Sequence, residues 1–325
     1  MIAVVATEPG GPEVLTLREL PDPTPGPGEV TIDVVATAVN RADTLQRRGH
    51  YPPPPGTSEL IGLECSGTVR EVGDGVMGLE PGQPVCALLA GGGYASVVSA
   101  PAAQVMSAPE GIDLATAAAV PEAAATVWSN VFMEAALRPG ESLLVHGGAG
   151  GLGSLAIQIA HALGHPVSTT AGSADKVALC ESLGAAPAVN YREEDFAERV
   201  LDHTQGRGVD VVLDNIGGPY LERNLKVLAL GGRLAIIGMQ GGARAELPIG
   251  RLMQKRARII ATSLRPRPVE EKGAICAQLV EHVWPLIASG QVAPVVDSTL
   301  PLSEAAAAHE RLESSQHAGK IVLTV

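Results

Sequence analysis

Hydrophobic and polar positions follow two different rhythms along this chain. In the first third, short β-branched runs are broken by turn residues: Val30–Val39, Gly67–Val72, Gln83–Leu89 and Tyr94–Val98. GEVTIDVVATAVN has period-two stretches, and VGDGVMGLEPGQPV is turn chemistry around short strands. A β-rich domain of irregular barrel type is expected there. From about Pro121 the rhythm changes. Ser142–Val145 reads as a strand, and Leu152, Leu155, Ala156, Ile159, Ala160 and Leu163 then recur at helical spacing up to Gly164. Pro166–Thr170 is a second strand, Asp175–Leu183 a helix, Val189–Tyr191 a short strand and Glu193–Thr204 a helix; residues 209–217, 233–238 and 258–263 are further strands. Such repetition predicts a parallel sheet with helices on both faces. The tail reads as a long helix over Val269–Ser289, kinked or shortened at Pro285, then a strand near Val292–Asp297, a helix Ser303–Glu313 opened by a capping box at Ser303, and a strand Lys320–Val325. The expected division is 1–120, 121–264, and a third stretch, 265–325, returning to the first domain.

Composition narrows the function classes. Of the 325 residues 46% are hydrophobic and 18% charged, enough for a buried core. Aromatics are 2%, so the core must be built from Ala, Val, Leu and Ile. The net charge of −12 repels phosphate backbones and anionic lipids, so no nucleic-acid or membrane partner is expected. The run Ser142–Ala174 lacks Asp, Glu, Lys and Arg, but His146, Gln158, His161, His165 and its glycines argue against a membrane span. Cys65, Cys86, Cys180 and Cys276 are scattered, with neither metal-site nor disulfide-scaffold spacing, and read as buried small side chains in a reducing cytoplasm.

The stretch Gly148-Ala-Gly-Gly-Leu-Gly153 fits GxGxxG. Alone it is weak in a glycine-rich chain, and an ordinary tight turn is the plain alternative. Its place between a strand and an amphipathic helix, with another strand beyond, makes it a dinucleotide-binding βαβ unit of Rossmann type. A diphosphate would lie on the N–H groups of the helix start. The second strand ends in Thr170–Ala171–Gly172 without an acid, and Ser173 and Lys176 follow. A hydroxyl and an ammonium suit the 2′-phosphate of NADPH, with Asp175 facing away. The bland alternative is a helix cap and a solvated charge.

Eight stretches carry a wider resemblance: AVNRADTLQRRGHYPPPPG (38–56), LIGLECSG (60–67), AAAVPEAAATVW (117–128), HGGAGGLG (146–153), TAGSADK (170–176), NYREEDF (190–196), DNIGG (214–218) and GKIVL (319–323). Together they resemble the zinc-free quinone oxidoreductases of the medium-chain dehydrogenase/reductase superfamily. The resemblance implies an α/β fold with a Rossmann domain beside a barrel-like, GroES-like catalytic domain, a cofactor in the cleft between them, and a homodimer. Zinc members carry Gly-His-Glu where this chain has Gly62-Leu63-Glu64, and their first ligand cysteine corresponds to Asn40. No metal site is expected, because leucine cannot ligate zinc. Glu64 is then a structural hydrogen-bond partner. By position the resemblance assigns cofactor contacts to Asn40, Thr126, Gly150, Gly151, Leu152, Gly172, Ser173, Lys176, Tyr191, Asn215, Ile237, Gly238, Met239, Ser263, Leu264 and Lys320.

Without zinc, the substrate must already accept hydride well, as quinones and α,β-unsaturated carbonyls do. The resemblance points to Tyr51 as the hydroxyl that stabilises or protonates the developing oxygen anion, and to Asn40 as an amide orienting nicotinamide or substrate. The plain alternative for Tyr51 is a loop aromatic packed on Pro52–Pro55. Two other functions fit the same motifs: an enone or 2-enoyl thioester reductase, with Arg265 and Arg267 facing an acidic carrier or merely solvated, and a crystallin-like protein that binds NADPH without turnover.

Overall fold

The computed structural model describes the whole chain, Met1–Val325. In chain order the elements are β1 (Ile2–Ala6), β2 (Leu15–Glu19), β3 (Glu29–Ala38), α1 (Arg41–Arg47), β4 (Glu64–Val72), β5 (Pro84–Leu88), β6 (Val97–Pro101), β7 (Val105–Ser107), α2 (Leu114–Ala117) and α3 (Pro121–Val127). There follow β8 (Leu143–His146), α4 (Gly151–Ala162), β9 (Val167–Ala171), α5 (Ala174–Ser182), β10 (Ala185–Asn190), α6 (Phe196–His203), β11 (Val209–Asp214), α7 (Leu221–Val227), β12 (Leu228–Ile236), α8 (Ile249–Lys255) and β13 (Arg258–Ala261). The chain closes with α9 (Val269–His282), α10 (Trp284–Ala288), β14 (Val296–Pro301), α11 (Ala305–Glu313) and β15 (Lys320–Thr324).

Two compact units result. Unit 1 comprises Met1–Ala125, Leu264–Gly290 and Pro294–Val325; unit 2 comprises Thr126–Ser263 with Gln291–Ala293. The first crossing lies five residues beyond the expected 120/121 boundary, inside α3, which opens at Pro121.

Unit 2 holds a six-stranded parallel sheet in the order β10-β9-β8-β11-β12-β13. Numbered along the chain this is 3-2-1-4-5-6, the doubly wound order, which changes direction between β8 and β11. Strands with helices on both sides are buried throughout, as all four residues of β8 and all six of β11 are. Leu144, Val212 and Leu234 from adjacent strands pack with Phe196, Val200 and Leu225 of α6 and α7 into one core. Buried His146 is part of this scaffold. Asn224 and Thr170 bond its two ring nitrogens at 2.7 and 3.1 Å, and Phe196 and Tyr220 meet it edge-on. Burial pushes its pKa down to about 4, so the ring is neutral.

Unit 1 is built on a seven-stranded mixed sheet, β14-β15-β3-β4-β5-β7, with β6 also pairing to β3. Its core is Val, Ile and Ala, with Val30, Ile32, Val69, Val85 and Val98 interleaved. β15 lies between β14, to which it is parallel, and β3, to which it is antiparallel. Three expectations for this unit need correction, and one ladder is an addition. The ladder of β1 with β2 was not expected. The strand expected at 292–297 is β14, four residues later. Val283, before Pro285, separates α9 from α10, so the long helix is two. Finally, α11 starts at Ala305 after a 3₁₀ turn over Leu302–Glu304, and no side chain caps it, Ser303 included.

Candidate active site

In unit 2 the expected contacts gather along one edge of the parallel sheet. Gly150, Gly151 and Leu152 follow β8; Gly172 and Ser173 follow β9, with Lys176 in the first turn of α5; Tyr191 follows β10; Asn215 follows β11; Ile237, Gly238 and Met239 follow β12; Ser263 follows β13. Thr126 lies one residue from the end of α3. Every strand thus delivers its residue at the carboxyl end, where ligands of open α/β sheets bind.

The glycines divide by purpose. A Cβ on Gly148 would lie 2.1 Å from Thr169 Oγ1, and one on Gly153 would lie 2.3 Å from the Gly147 carbonyl oxygen. These two let β8, β9 and α4 pack together. A Cβ on Gly150 would meet only the Gly147 oxygen, at 3.4 Å, so the space before it is open. Gly150 caps α4 without a side chain, and the first three N–H groups of that 12-residue helix have no intrahelical acceptor. A diphosphate fits that helix start on charge and on room. Across the switch point, a Cβ on Gly147 would lie 3.3 Å from Asn215 Nδ2. Asn215 Oδ1 is buried without a partner, and so calls for an N–H or O–H from a ligand.

At the end of β9, Ser173 caps α5, its oxygen accepting from the Lys176 N–H at 3.4 Å. That leaves its own O–H to donate. The Tyr191 hydroxyl stands close to Gly172: a Cβ there would lie 2.8 Å from it. Asp175 is exposed on α5. Ser173, Lys176 and Tyr191 thus lie along the chain around the end of β9, where an acid would stand in a site built for an unphosphorylated ribose.

In unit 1, Asn40, Glu64 and Lys320 form one buried cluster. Glu64 has no exposed surface and Lys320 is 4% exposed. Lys320 Nζ donates to Glu64 Oε1 at 2.5 Å and to Asn40 Oδ1 at 2.8 Å. Asn40 Nδ2 donates to the same Glu64 oxygen at 2.8 Å and to the Ala38 carbonyl at 3.2 Å, and the Glu122 N–H donates to Glu64 Oε2 at 2.8 Å. Glu64 is thus a structural acceptor held by three donors. The cluster changes the reading of two expected cofactor contacts. Asn40 gives both amide hydrogens to acceptors inside unit 1. Lys320 is turned inward onto a carboxylate and an amide oxygen. Leu63 is buried beside Glu64, and nowhere do three His, Cys, Asp or Glu side chains group to hold a metal ion.

Sequence reasoning missed two carboxyls here. Asp43 accepts from the Asn40 N–H at 2.7 Å; its place three residues after the helix cap was the available signal. Burial pushes its pKa up to about 7. Glu122, in the first turn of α3, is pushed up to about 8 by burial and by the charge of Glu64. An acid that holds its proton more tightly in the fold than at its ordinary value of 4.5 withdraws stability as pH rises. The loss starts near that value and is complete above about 8. Glu122→Gln removes it, so the variant's stability relative to the natural chain is expected to grow between about pH 5 and 8 and then level off. Urea denaturation at a series of pH values checks this.

Asp43 also ends a buried chain of hydrogen bonds. Arg47 Nη1 lies 3.1 Å from His309 Nδ1, His309 Nε2 lies 2.9 Å from the Tyr94 hydroxyl, and that hydroxyl lies 3.4 Å from Asp43 Oδ2. Arginine only donates, so His309 accepts at Nδ1, carries its proton on Nε2 and gives it to the Tyr94 oxygen; Tyr94 then donates to Asp43. Burial pushes the His309 pKa down to about 3, consistent with a neutral ring. Arg47 is anchored in turn by Glu313 at 2.6 Å.

Tyr51 lies in the irregular stretch between α1 and β4, ahead of Pro52–Pro55. Arg265, expected in a solvated loop or facing an acidic carrier, is 3% exposed and is engaged with this stretch. The four thiols are buried. Burial pushes Cys180 and Cys276 up to about 12, which leaves them poor nucleophiles. No helix is long and apolar enough to cross a membrane.

Comparison with known proteins covers both units. Residues 26–110 match the alcohol dehydrogenase GroES-like domain family, and residues 183–323 the zinc-binding dehydrogenase family. Quinone oxidoreductase from Rattus norvegicus is 34% identical, over 99% of this chain and 97% of its own length. The crystal structure of Escherichia coli quinone oxidoreductase complexed with NADPH superposes with a TM-score of 0.88 at 32% identity, covering 100% of both chains. The JamJ enoyl reductase, solved in its apo form, superposes at 0.87 with 26% identity, covering 99% of this chain and 98% of that one. A polyketide synthase of Mycobacterium tuberculosis is 34% identical over 98% of this chain, but the chain spans only 15% of its length.

Proposed function

We propose, on the premise that the chain belongs to the quinone oxidoreductase family of the medium-chain dehydrogenases/reductases, that it reduces quinones or related α,β-unsaturated carbonyls with NADPH. The observation that carries the reading is the carboxyl edge of the unit 2 sheet: an open glycine loop at an uncapped helix start, a buried Asn215 oxygen lacking a donor, and Ser173, Lys176 and Tyr191 around the end of β9. NADPH bound there supplies the hydride. The N–H groups of Gly151 and Leu152 hold its diphosphate. The Ser173 hydroxyl and the Lys176 ammonium hold its 2′-phosphate, which a carboxylate in their place would repel. Asn215 accepts from its polar end. Tyr51 donates a hydrogen bond, and then its proton, to the substrate oxygen on which negative charge collects. Zinc-type activation is not part of the proposal, since Glu64 is taken up by three donors and leucine stands beside it.

The test is NADPH oxidation by the purified chain against ortho- and para-quinones, enones and simple ketones, with NADH in parallel. Turnover of quinones or enones, little with ketones, and a preference for NADPH are expected. Lys176→Ala should raise the KM for NADPH about tenfold, one charge-assisted bond's worth, and leave that for NADH nearly unchanged; equal effects on both would remove the 2′-phosphate assignment. The likeness to an enoyl reductase supports enoyl thioesters as a second substrate class, and the same panel extended to them decides.

Unit 2 also supports a homodimer. β13 ends the sheet with one edge unpaired, and nearby Leu247, Ile249 and Met253 are exposed apolar side chains. Light scattering is expected to report twice the chain mass of 33.3 kDa.

A further inference from the structure

If Tyr51 delivers a proton, something must hold it still. No strand or helix does so, because residues 48–63 between α1 and β4 are irregular. Four prolines stiffen the chain after Tyr51 but do not fix where its ring points. One buried side chain does more. Arg265 Nε donates to the Ala90 carbonyl at 2.7 Å, Nη1 to the Tyr51 carbonyl at 3.1 Å, and Nη2 to Gln46 Oε1 at 2.8 Å. Its charge centre lies 5.3 Å from the centroid of the Tyr51 ring, within cation–π range. Gln46 passes the hold onward, its Nε2 donating to the Glu59 carbonyl at 2.8 Å. One guanidinium therefore ties together the last turn of α1, the Tyr51 backbone and ring, the loop after β5 and, through Gln46, the far end of the proline stretch.

The bonds are informative because all three acceptors are neutral. A buried cation without a carboxylate bonded to it costs stability, and an apolar side chain would fill the same space more cheaply. Arg265 also follows directly on Leu264, where the chain has just re-entered unit 1. It is anchored where the chain re-enters unit 1, in the turn between β13 and α9.

We propose that Arg265 is a positioning residue for Tyr51, setting its ring and hydroxyl through a three-way fork and a stacked charge. This rests on the reading of Tyr51 as the proton donor. Lysine would keep the charge but not the planar fork, and so should support the task only in part.

Hydrogen exchange of the ligand-free protein tests the clamp without any substrate. In Arg265→Leu the amides of residues 49–51 and 56–59 are expected to exchange at least several-fold faster, with unit 2 unchanged. In turnover assays, kcat should fall roughly 10–100-fold, with the KM for NADPH within twofold. Arg265→Lys should recover part of the loss, and Arg265→Leu combined with Tyr51→Phe should be no slower than Tyr51→Phe alone. Should Arg265→Leu not fold, Gln46→Ala carries the exchange measurement and Arg265→Lys the kinetics. Unchanged exchange in a folded variant, or losses that multiply in the double variant, would overturn the proposal. Failure of the underlying reading looks different: the natural chain would turn over no quinone or enone while the exchange effect persisted.

Discussion

Tyr51→Phe is expected to lower kcat for enones by between about 10² and 10³, toward the lower end of what a positioned acid contributes, while NADPH binding stays as it was. The substitution deletes one oxygen and leaves the ring, so the stacking with Arg265 survives. What disappears is the hydroxyl proposed to donate to the substrate oxygen. The effect should be smaller for quinones, whose two carbonyls spread the incoming charge through the ring and whose product takes protons readily from water. Steady-state kinetics on one enone and one quinone, with NADPH affinity measured by quenching of protein fluorescence, give both comparisons. An enone rate within twofold of the natural chain would strip Tyr51 of its role.

Lys320→Met should be the most damaging single change to unit 1, costing about 3–5 kcal/mol. Methionine fills most of the space but leaves the Glu64 carboxylate sealed from water with only the Asn40 amide and the Glu122 N–H to answer it. Adding Glu64→Gln should return much of the loss, because a neutral amide needs no counter-charge. The two units need not unfold together, so one transition should not be assumed. The chain has two tryptophans: Trp128, in unit 2, and Trp284, in unit 1, which donates to the Ser107 carbonyl at 2.7 Å. With Trp128→Phe as the background, fluorescence follows unit 1 alone through a urea titration. Double-variant stability no better than Lys320→Met would refute the ion-pair account.

These expectations differ in how far they could be read from the chain. β8, the glycine loop, α4 and β9 were legible because each declares itself locally: an apolar run, a backbone that must turn, a 3.6-residue stripe, a second apolar run. The carboxyl-edge position of Ser173, Tyr191 and Asn215 followed once the strands were placed. α1 was not legible, because its buried residues are Asp43, Thr44 and Arg47, the reverse of an amphipathic signal. Arg47 is buried because His309 and Glu313, more than 260 positions away, meet its guanidinium. The Glu64 cluster likewise draws on residues 40, 122 and 320. Local pattern has no access to partners at that separation, so Asn40 and Lys320 appeared as side chains available to a ligand when they bond to one another. β14 was misplaced for a related reason. It is half-buried along its length, and its one ladder partner, β15, selects its register.

That ladder bears on how the protein is made. Residues 126–263 form an unbroken stretch containing every strand of the parallel sheet, so this sheet can complete itself as it leaves the ribosome, with only Gln291–Ala293 of the unit still to come. The other sheet has to wait. β3 emerges early, yet the strand that joins it to β14 lies beyond the entire second unit, and until it arrives the Ala36–Ala38 end of one β3 edge is bare, the Glu29–Asp33 part of that edge being paired with β6. Synthesis therefore reverses the usual amino-to-carboxyl order of domain completion: the inserted unit matures first, and the half bearing Tyr51 is finished only when Lys320–Thr324 slots into place.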